Sequence, residues 1–230
     1  MPSWRAALRR DRVAAGVEHT RVLRNLGPVC TVVDIGADRG QFALVARHCF
    51  PEARIVSFER LTGRAARCRV VFSGGCVRHA GVTLVEAAVG PEKGEAVIHL
   101  SERDDSSSLL PITERQEELF PGTAEAGTTR TRVLRLADVL PAQEVAAPAL
   151  LKLDVQGFEL QALEGCEEVL PQFDWVYVEW SFVALYAGQA FADEVISWLR
   201  ERGFLLTGVF KMSYDRPGQA IQADFLFRKS

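Results

Sequence analysis

Short apolar runs alternate with longer amphipathic stretches along most of this chain. Runs rich in β-branched residues predict strands at about residues 30–34, 54–58, 82–89, 95–100, 129–134, 149–154, 174–180, 205–211 and 223–227. Patterns with helical spacing predict helices at about residues 3–26, 40–49, 61–73, 157–170 and 190–202, with a short helical turn at 136–140. This alternation predicts an α/β fold with a doubly wound, mostly parallel sheet, followed by a C-terminal antiparallel strand pair.

The same pattern predicts an N-terminal helical extension over residues 1–28 and one domain over residues 29–230. The least regular part of the domain, residues 101–127, contains Pro111, Pro121 and Gly127. We expect a lid or a substrate-binding insertion over about residues 101–135. The extension is rich in arginine, which suits either a membrane surface or a solvated helix packed on the domain, and we expect the second arrangement.

The first strand–helix junction carries the most informative motif. A strand that ends at Asp34 is followed by Gly36 and Gly40 and then by a helix. Glycine has no Cβ, so backbone amides in such a loop can approach a ligand closely, and Glu59 at the end of the next strand is placed to bind the two hydroxyls of a ribose. The spacing Asp-x-Gly-x-x-x-Gly differs from the dinucleotide pattern Gly-x-Gly-x-x-Gly. An aspartate here favours a ligand that carries a cationic ammonium and sulfonium, S-adenosylmethionine, whereas the alternative is an ordinary turn with a capping aspartate.

Acidic residues stand at the carboxyl ends of four predicted strands, where doubly wound sheets bind ligands: Asp34, Glu59, Asp154 and Glu179. Some of them could simply cap the following helices. Four carboxylates in one crevice nevertheless call for a cationic ligand, a metal or a lysine. Lys152 shares a face of its strand with Asp154, so we expect an ion pair with Asp154 or Glu179, and a desolvated lysine base is the less expected role. His79 and His99 are alternative bases.

Composition narrows the classes of function. The net charge is −3 and 48% of the residues are hydrophobic, which indicates a globular domain without the basic surface that nucleic-acid binding requires. The five cysteines form neither a Cys-x-x-Cys motif nor a zinc pattern. Because the sequence also shows no signal peptide and no apolar run of membrane-spanning length, we expect a cytoplasmic protein with no membrane span and no nucleic-acid partner.

The chain resembles the FkbM-type S-adenosylmethionine-dependent methyltransferases over roughly residues 30–227. The most specific block is Lys152-Leu153-Asp154-Val155-Gln156-Gly157-Phe158-Glu159, which follows the pattern Lys-x-Asp-x-x-Gly-x-Glu. Further blocks match at the first glycine loop, Phe58-Glu59, Ala87-Ala88-Val89-Gly90, Ser107-Ser108-Leu109, Leu163-Glu164-Gly165, Val178-Glu179, Leu185-Tyr186 and Gly203-Phe204. The chain departs from the family at Arg60, where a proline usually follows the glutamate.

The resemblance implies a Rossmann-like methyltransferase fold and O-methylation of a hydroxyl on a small molecule, a sugar or a natural product. Asp154, Lys152 and Glu179 are the expected catalytic residues. Asp154 and Glu179 are also candidate ligands of Mg²⁺, because that ion prefers oxygen. The expected contacts of S-adenosylmethionine are Asp34, Gly36, Ala37, Gly40, Phe42, Glu59, Arg60, Ala87, Ala88, Ser107 and Asp154.

Two other classes of function were weighed. A non-catalytic domain could keep the cofactor fold for partner binding, although Asp34, Glu59 and Asp154 together favour an enzyme. A nucleotide-base methyltransferase is disfavoured, because the Asn/Asp-Pro-Pro-aromatic motif that holds a flipped base is absent from the sequence. We expect residues 101–135 to select the acceptor, while the aromatic residues after Glu179 could stack on the acceptor or belong to the core: Trp180, Phe182 and Tyr186.

Overall fold

The computed structural model describes residues 14–73 and 82–230. The larger of its two sheets contains β1 (Thr31–Ile35), β2 (Arg54–Phe58), β3 (Val82–Val85), β7 (Ala149–Leu153), β8 (Trp175–Ser181), β9 (Phe204–Tyr214) and β10 (Ala220–Lys229). The smaller sheet contains β4 (Ala88–Val89), β5 (Gly94–Ser101) and β6 (Glu125–Leu134). The helices are α1 (Thr20–Arg24), α2 (Gln41–Cys49), α3 (Thr62–Ser73), α4 (Glu114–Leu119), α5 (Glu159–Glu164) and α6 (Ala192–Glu201), with short 3₁₀ segments at Ala14–His19, Asp104–Ser106, Leu136–Asp138, Ala142–Glu144 and Leu170–Gln172.

The strands of the larger sheet follow the order β3-β2-β1-β7-β8-β10-β9. Every pair from β3 to β8 is parallel, and β10 runs antiparallel to both β8 and β9. The predicted doubly wound, mostly parallel sheet with a C-terminal antiparallel pair is therefore confirmed. The chain reverses its direction of strand addition between β1 and β7, and such switch points are where open α/β sheets bind ligands.

Apolar side chains cover the larger sheet on both faces. Val33 and Leu151 pack on one face with residues of α5 and α6, whereas Val32, Leu150 and Tyr177 pack on the other face with residues of α2. Neighbouring residues of a strand thus serve opposite cores, as the two-residue period of a strand requires. Every residue of β7 is buried, which explains why its sequence is almost continuously apolar.

Three stretches differ from the prediction. Residues 82–89 are not one strand, because Ala87 N–H donates to Val85 O (3.1 Å) in a turn that leaves the larger sheet, and β4 then pairs in parallel with β6. The stretch at 101–127, predicted to be irregular, contains α4 and the start of β6, which extends the strand predicted at 129–134 and pairs antiparallel with β5. The helix predicted over 157–170 is α5 alone, and the Gly165 carbonyl beyond it accepts from Leu136 N–H at 2.9 Å.

The described part of the N-terminal extension is a helical cover on α2. Val22 and Leu23 are buried against it, and a Cβ at Gly16 would lie 2.6 Å from the Gln41 carbonyl oxygen. From Ala14 onward, the extension therefore packs on the domain, which is the arrangement that the sequence led us to expect. The first part of the predicted helix, together with Cys76 and His79, lies outside the described residues. Within residues 14–73 and 82–230, no helix combines the length and the apolar character that crossing a membrane would need.

Candidate functional site

A cavity of about 300 Å³ opens at the carboxyl ends of β1, β2, β7 and β8. Its wall combines the glycine loop after β1, the N-terminal cover and parts of the 101–135 stretch. Among the residues predicted from the sequence, the lining includes Gly36, Ala37, Phe42, Glu59, Arg60, Lys152, Asp154 and Glu179. It also includes residues that sequence reasoning did not single out, among them His19, Asp38, Gln41, Arg64, Arg103, Gln116, Phe120, Gln156, Lys211 and Gln222.

The glycine loop is shaped by close backbone contacts. Gly36 has φ +84°, and a Cβ built there would overlap the carbonyl oxygen of Asp154, so only glycine fits. The N–H groups of Gly36 and Ala37 donate to Phe58 O at 3.0 and 2.9 Å, which joins the loop to the end of β2. Gly40, with φ +82°, starts α2. The loop thus lies directly beside Glu59 and Asp154.

Glu59 organises the loop on the β2 side of the cavity. Its two carboxylate oxygens accept from the N–H groups of Asp38 (2.8 Å) and Leu61 (2.9 Å), and the residue is 2% exposed. Burial raises the pKa of Glu59, and Arg60 opposes that shift. Asp38 in turn pairs with Arg64 at 2.6 Å. Each carboxylate oxygen keeps a second lone pair, so Glu59 can still accept hydrogen bonds from a ligand in the cavity.

Asp34 lies beneath the loop and pairs with Lys152. The Lys152 ammonium is 3.0 Å from Asp34 Oδ1, 2.9 Å from Gly36 O and 3.9 Å from Asp154 Oδ2. Its closest carboxylate is therefore Asp34, the neighbour across β1 and β7, which the sequence analysis did not foresee, and the expected ion pair with Asp154 is present at the longer distance. Burial alone would lower the pKa of Lys152, but Asp34 and Asp154 outweigh it and raise that pKa. Asp34 is fully buried beneath the loop. Its ion pair positions the Lys152 ammonium, which in turn donates to Gly36 O in the glycine loop.

Gln156 bridges the two other acids of the site. Its Nε2 donates to Asp154 Oδ1 at 2.7 Å and to Glu179 Oε2 at 3.1 Å, while Gln222 Nε2 donates to the second Glu179 oxygen at 3.1 Å. Burial would raise the pKa of Asp154, but the Lys152 ammonium and the Gln156 amide lower it. Burial raises the pKa of Glu179 well above its ordinary value, and the charges of Asp154 and Asp224 add to this effect. Asp154 is accordingly the more acidic member of the pair, and Glu179 is the less acidic one.

The donor set does not fit the Mg²⁺ site considered from the sequence. Asp154 and Glu179 both face the N–H groups of Gln156, whereas a cation between them would need oxygen ligands turned toward it. In the part of the chain that the structure describes, no group of three or more histidine, cysteine, aspartate or glutamate side chains is arranged to hold a metal. The two acids are therefore assigned to hydrogen bonding.

The other predicted cofactor residues lie around the rim. Ala87 and Ala88 line a separate small cavity of about 10 Å³ that shares Gly36 and Arg60 with the large one. Arg60 donates to the backbone oxygen of Ser107, and the Ser107 side chain is buried against Ser101. Ser106, rather than Ser107, lines the large cavity.

The aromatic residues after Glu179 belong mainly to the core. Trp180 is buried and donates its indole N–H to Ala190 O at 3.1 Å, while Phe182 packs against Phe225. Tyr186 is buried, with its hydroxyl 2.8 Å from Gln156 Oε1 and 3.0 Å from Ser106 O. His99 pairs with Glu125 at 3.0 Å in the smaller sheet, away from the cavity lining.

Several functional residues were missed because their partners are distant in the chain. Asp224 is an acidic residue within the otherwise apolar strand β10. It is the one feature of the local sequence that could have indicated a buried polar cluster. It accepts from the Tyr177 hydroxyl at 2.5 Å and from the Lys211 ammonium at 2.9 Å. His19 from the N-terminal cover joins this cluster through Tyr177 at 3.1 Å.

A doubly wound sheet with a glycine loop and acids at its switch point is a Rossmann-like fold with a ligand cavity at its strand ends, as expected for a methyltransferase. The family described as Methyltransferase FkbM domain matches residues 34–206, and the chain belongs to this family. It is therefore an S-adenosylmethionine-dependent methyltransferase, as the sequence blocks indicated.

The relatives are distant in sequence. Methyltransferase sdnD of Sordaria araneosa is 25% identical over 216 residues, which cover 83% of this chain and 79% of the relative. The 31-O-demethyl-FK506 methyltransferase FkbM of Streptomyces tacrolimicus is 25% identical over 198 residues, with 78% and 74% covered. The 2-O-methyltransferase NoeI of Sinorhizobium fredii is 27% identical over 168 residues, with 70% and 68% covered.

Solved structures support the fold. A methyltransferase FkbM from Methylobacillus flagellatus superposes with a TM-score of 0.51 at 12% identity, over 86% of this chain and 43% of that chain. The magnesium protoporphyrin IX methyltransferase of Synechocystis, solved with bound S-adenosylmethionine, superposes with a TM-score of 0.54 at 9% identity, over 100% of this chain and 85% of that one.

Proposed function

We propose that this protein transfers the methyl group of S-adenosylmethionine to a hydroxyl oxygen of a small molecule, a sugar or a natural product. The observation that carries the proposal is the cavity in which the glycine loop, Glu59 and the bridged acids Asp154 and Glu179 meet. The names of two relatives, 31-O-demethyl-FK506 methyltransferase and 2-O-methyltransferase, support oxygen as the acceptor atom.

The loop side of the cavity suits the cofactor. Glu59 offers acceptors for ribose hydroxyls, and the apolar edges of Ala87 and Ala88 line the small side cavity that continues from Arg60. Asp154, ionised beside the loop, provides the negative charge that a cationic ammonium and sulfonium require. When bound, the cofactor supplies an electrophilic methyl group at this point.

The remaining part of the cavity suits a hydroxylated acceptor. Glu179 is held by Gln156 and Gln222, and each of its carboxylate oxygens keeps a second lone pair that can accept a hydrogen bond from an acceptor hydroxyl and so orient it. Arg103 and Gln116 from the 101–135 stretch add polar groups, and Phe120 adds one apolar surface. Orientation of this kind lowers the barrier by holding the oxygen in line with the methyl group, at a distance of about 3 Å.

A non-catalytic binding domain is the alternative, and turnover separates the two. The purified chain is incubated with S-adenosylmethionine and pooled hydroxylated acceptors, and formation of S-adenosylhomocysteine is followed by mass spectrometry. Acceptor-dependent turnover is the expected result. Tight cofactor binding without turnover on any pool would favour the non-catalytic alternative.

We expect turnover to be independent of divalent ions, because Gln156 already supplies hydrogen bonds to both carboxylates. Exhaustive treatment with EDTA should leave the rate unchanged, and added Mg²⁺ should not increase it. Loss of activity in EDTA with full recovery in Mg²⁺ would contradict this account of the two acids.

A further inference from the structure

His19 occupies an unusual position for a residue of the N-terminal cover. Its ring lines the same cavity as Asp154 and Glu179 and lies edge-on to Phe42 and Tyr177, with ring centroids 5.2 and 5.6 Å away. The side chain is 13% exposed. The extension therefore brings the His19 ring into the site, next to Glu18, which lines the same cavity.

The hydrogen bonds behind His19 determine its tautomer. Lys211 has only donors, so Asp224 Oδ2, 2.9 Å from its ammonium, acts as an acceptor. Tyr177 lies 2.5 Å from that same oxygen and must donate its single proton to it. The Tyr177 oxygen, 3.1 Å from His19 Nδ1, then accepts from an Nδ1–H group. A neutral His19 in this arrangement carries its proton on Nδ1 and leaves Nε2 with a free lone pair.

The free nitrogen faces no competing group of the described chain. Among residues 14–73 and 82–230, the polar contacts of His19 run through Nδ1, to the Tyr177 hydroxyl at 3.1 Å and to Asp224 Oδ2 at 3.8 Å, and Nε2 has no hydrogen-bond partner there. The carboxylates nearby already take part in other polar contacts. Asp154 accepts from Gln156 and lies 3.9 Å from Lys152, and both oxygens of Glu179 accept from amides.

We propose that His19 is the proton acceptor of the methyl-transfer reaction, with Tyr177 and Asp224 as the positioning residues that present its bare Nε2 to the acceptor hydroxyl. This assignment rests on the proposed O-methyltransferase function. In the step, a lone pair of the hydroxyl oxygen forms the bond to the methyl carbon, and the carbon–sulfur bond breaks with its electron pair left on sulfur. The hydroxyl proton moves to Nε2 and leaves to solvent after the ether departs.

The charge state of the ring agrees with this role. Burial lowers the pKa of His19 to about 3, the charges of Lys211 and Lys152 add to the effect, and Asp154 opposes it. The ring is therefore neutral near pH 7. Such a weak base is sufficient. If the methyl group is added before the proton leaves, the product is a protonated ether, which is a far stronger acid than an imidazolium. Proton transfer only has to accompany or follow formation of the carbon–oxygen bond.

Nuclear magnetic resonance tests the tautomer without any acceptor. Long-range proton–nitrogen correlations are recorded on the full chain labelled with ¹⁵N-histidine, and the His19 signals are assigned through their proximity to the Phe42 ring. We expect a protonated Nδ1 and an unprotonated Nε2, both alone and with S-adenosylhomocysteine. In Tyr177→Phe the ring should shift toward the Nε2–H form. An Nε2–H tautomer in the wild-type chain would overturn the proposal.

Kinetics test the role on a confirmed acceptor. His19→Gln should lower kcat by about 10²-fold or more, while calorimetry shows unchanged affinity for S-adenosylmethionine. The control is His48→Gln, at a half-buried histidine on α2 outside the cavity lining, which should keep the wild-type rate. Wild-type kcat in His19→Gln would overturn the role of His19 alone. Absence of turnover by the wild-type chain on every acceptor would overturn the proposed function as well.

Discussion

Lys152→Met should destabilise the folded chain by about 3–5 kcal/mol, because it leaves the buried Asp34 carboxylate without its partner. Asp34 is fully buried, and its Oδ1 lies 3.0 Å from the Lys152 ammonium. The free energy of unfolding is measured by urea denaturation at pH 7. The matched control is Lys229→Met, which removes an exposed lysine at the end of β10 and should change stability by less than about 0.5 kcal/mol.

The pH dependence of this effect has a defined sign. Burial raises the pKa of Asp34, and Lys152 opposes that shift, so removal of Lys152 raises the pKa further. The variant then binds a proton more readily when folded than when unfolded, and its stability relative to wild type increases as the pH falls. The double variant Asp34→Asn/Lys152→Met should regain part of the lost stability. A decrease in the free energy of unfolding below about 1 kcal/mol in Lys152→Met is the size typical of exposed ion pairs. Such a result would contradict the role of the Asp34–Lys152 pair as the support of the glycine loop.

Glu59→Ala should weaken binding of S-adenosylmethionine by roughly one to two decades. Hydrogen bonds to a charged group contribute about 1.5–3 kcal/mol, which corresponds to that range of affinity. The variant also removes the acceptors of Asp38 N–H and Leu61 N–H, so the loop keeps only its backbone hydrogen bonds to Phe58 O as a link to β2. Because the pKa of Glu59 is raised by burial, the affinity of the wild-type chain should fall as acid protonates this carboxylate.

Isothermal titration calorimetry measures both effects. The control is Glu52→Ala, at an exposed glutamate in the turn before β2, and it should bind like wild type. Equal affinities of Glu59→Ala and wild type, with both chains folded, would remove Glu59 from the cofactor site.

Much of the sheet could be predicted from the sequence, because local patterns decide those elements. The alternation of Val32 and Val33 between two cores and the continuous apolar run of β7 both follow from the strand period. Gly36 and Glu59 could be placed at the ligand end of the sheet, because parallel strands end at one edge.

The structural features that differed from the sequence-based predictions depend on contacts between distant segments of the chain. The pairing of Lys152 with Asp34 follows from the register of β1 against β7, and a sequence alone does not define a register between strands that are more than 100 residues apart. The break after Val85 occurs because β4 finds a partner in β6. His19 and Tyr177 meet because the N-terminal cover packs on α2, and nothing in the local pattern around His19 indicates that contact.

The most direct test of the central claim is the fate of a labelled methyl group. The chain is incubated with S-adenosylmethionine that carries ¹³C in its methyl group and with the acceptor found by pooled screening, and the product is examined by carbon nuclear magnetic resonance. The account predicts one labelled carbon with the chemical shift of a methyl ether, formed together with one equivalent of S-adenosylhomocysteine. A label on nitrogen or on carbon, or release of the label without a methylated acceptor, would contradict it.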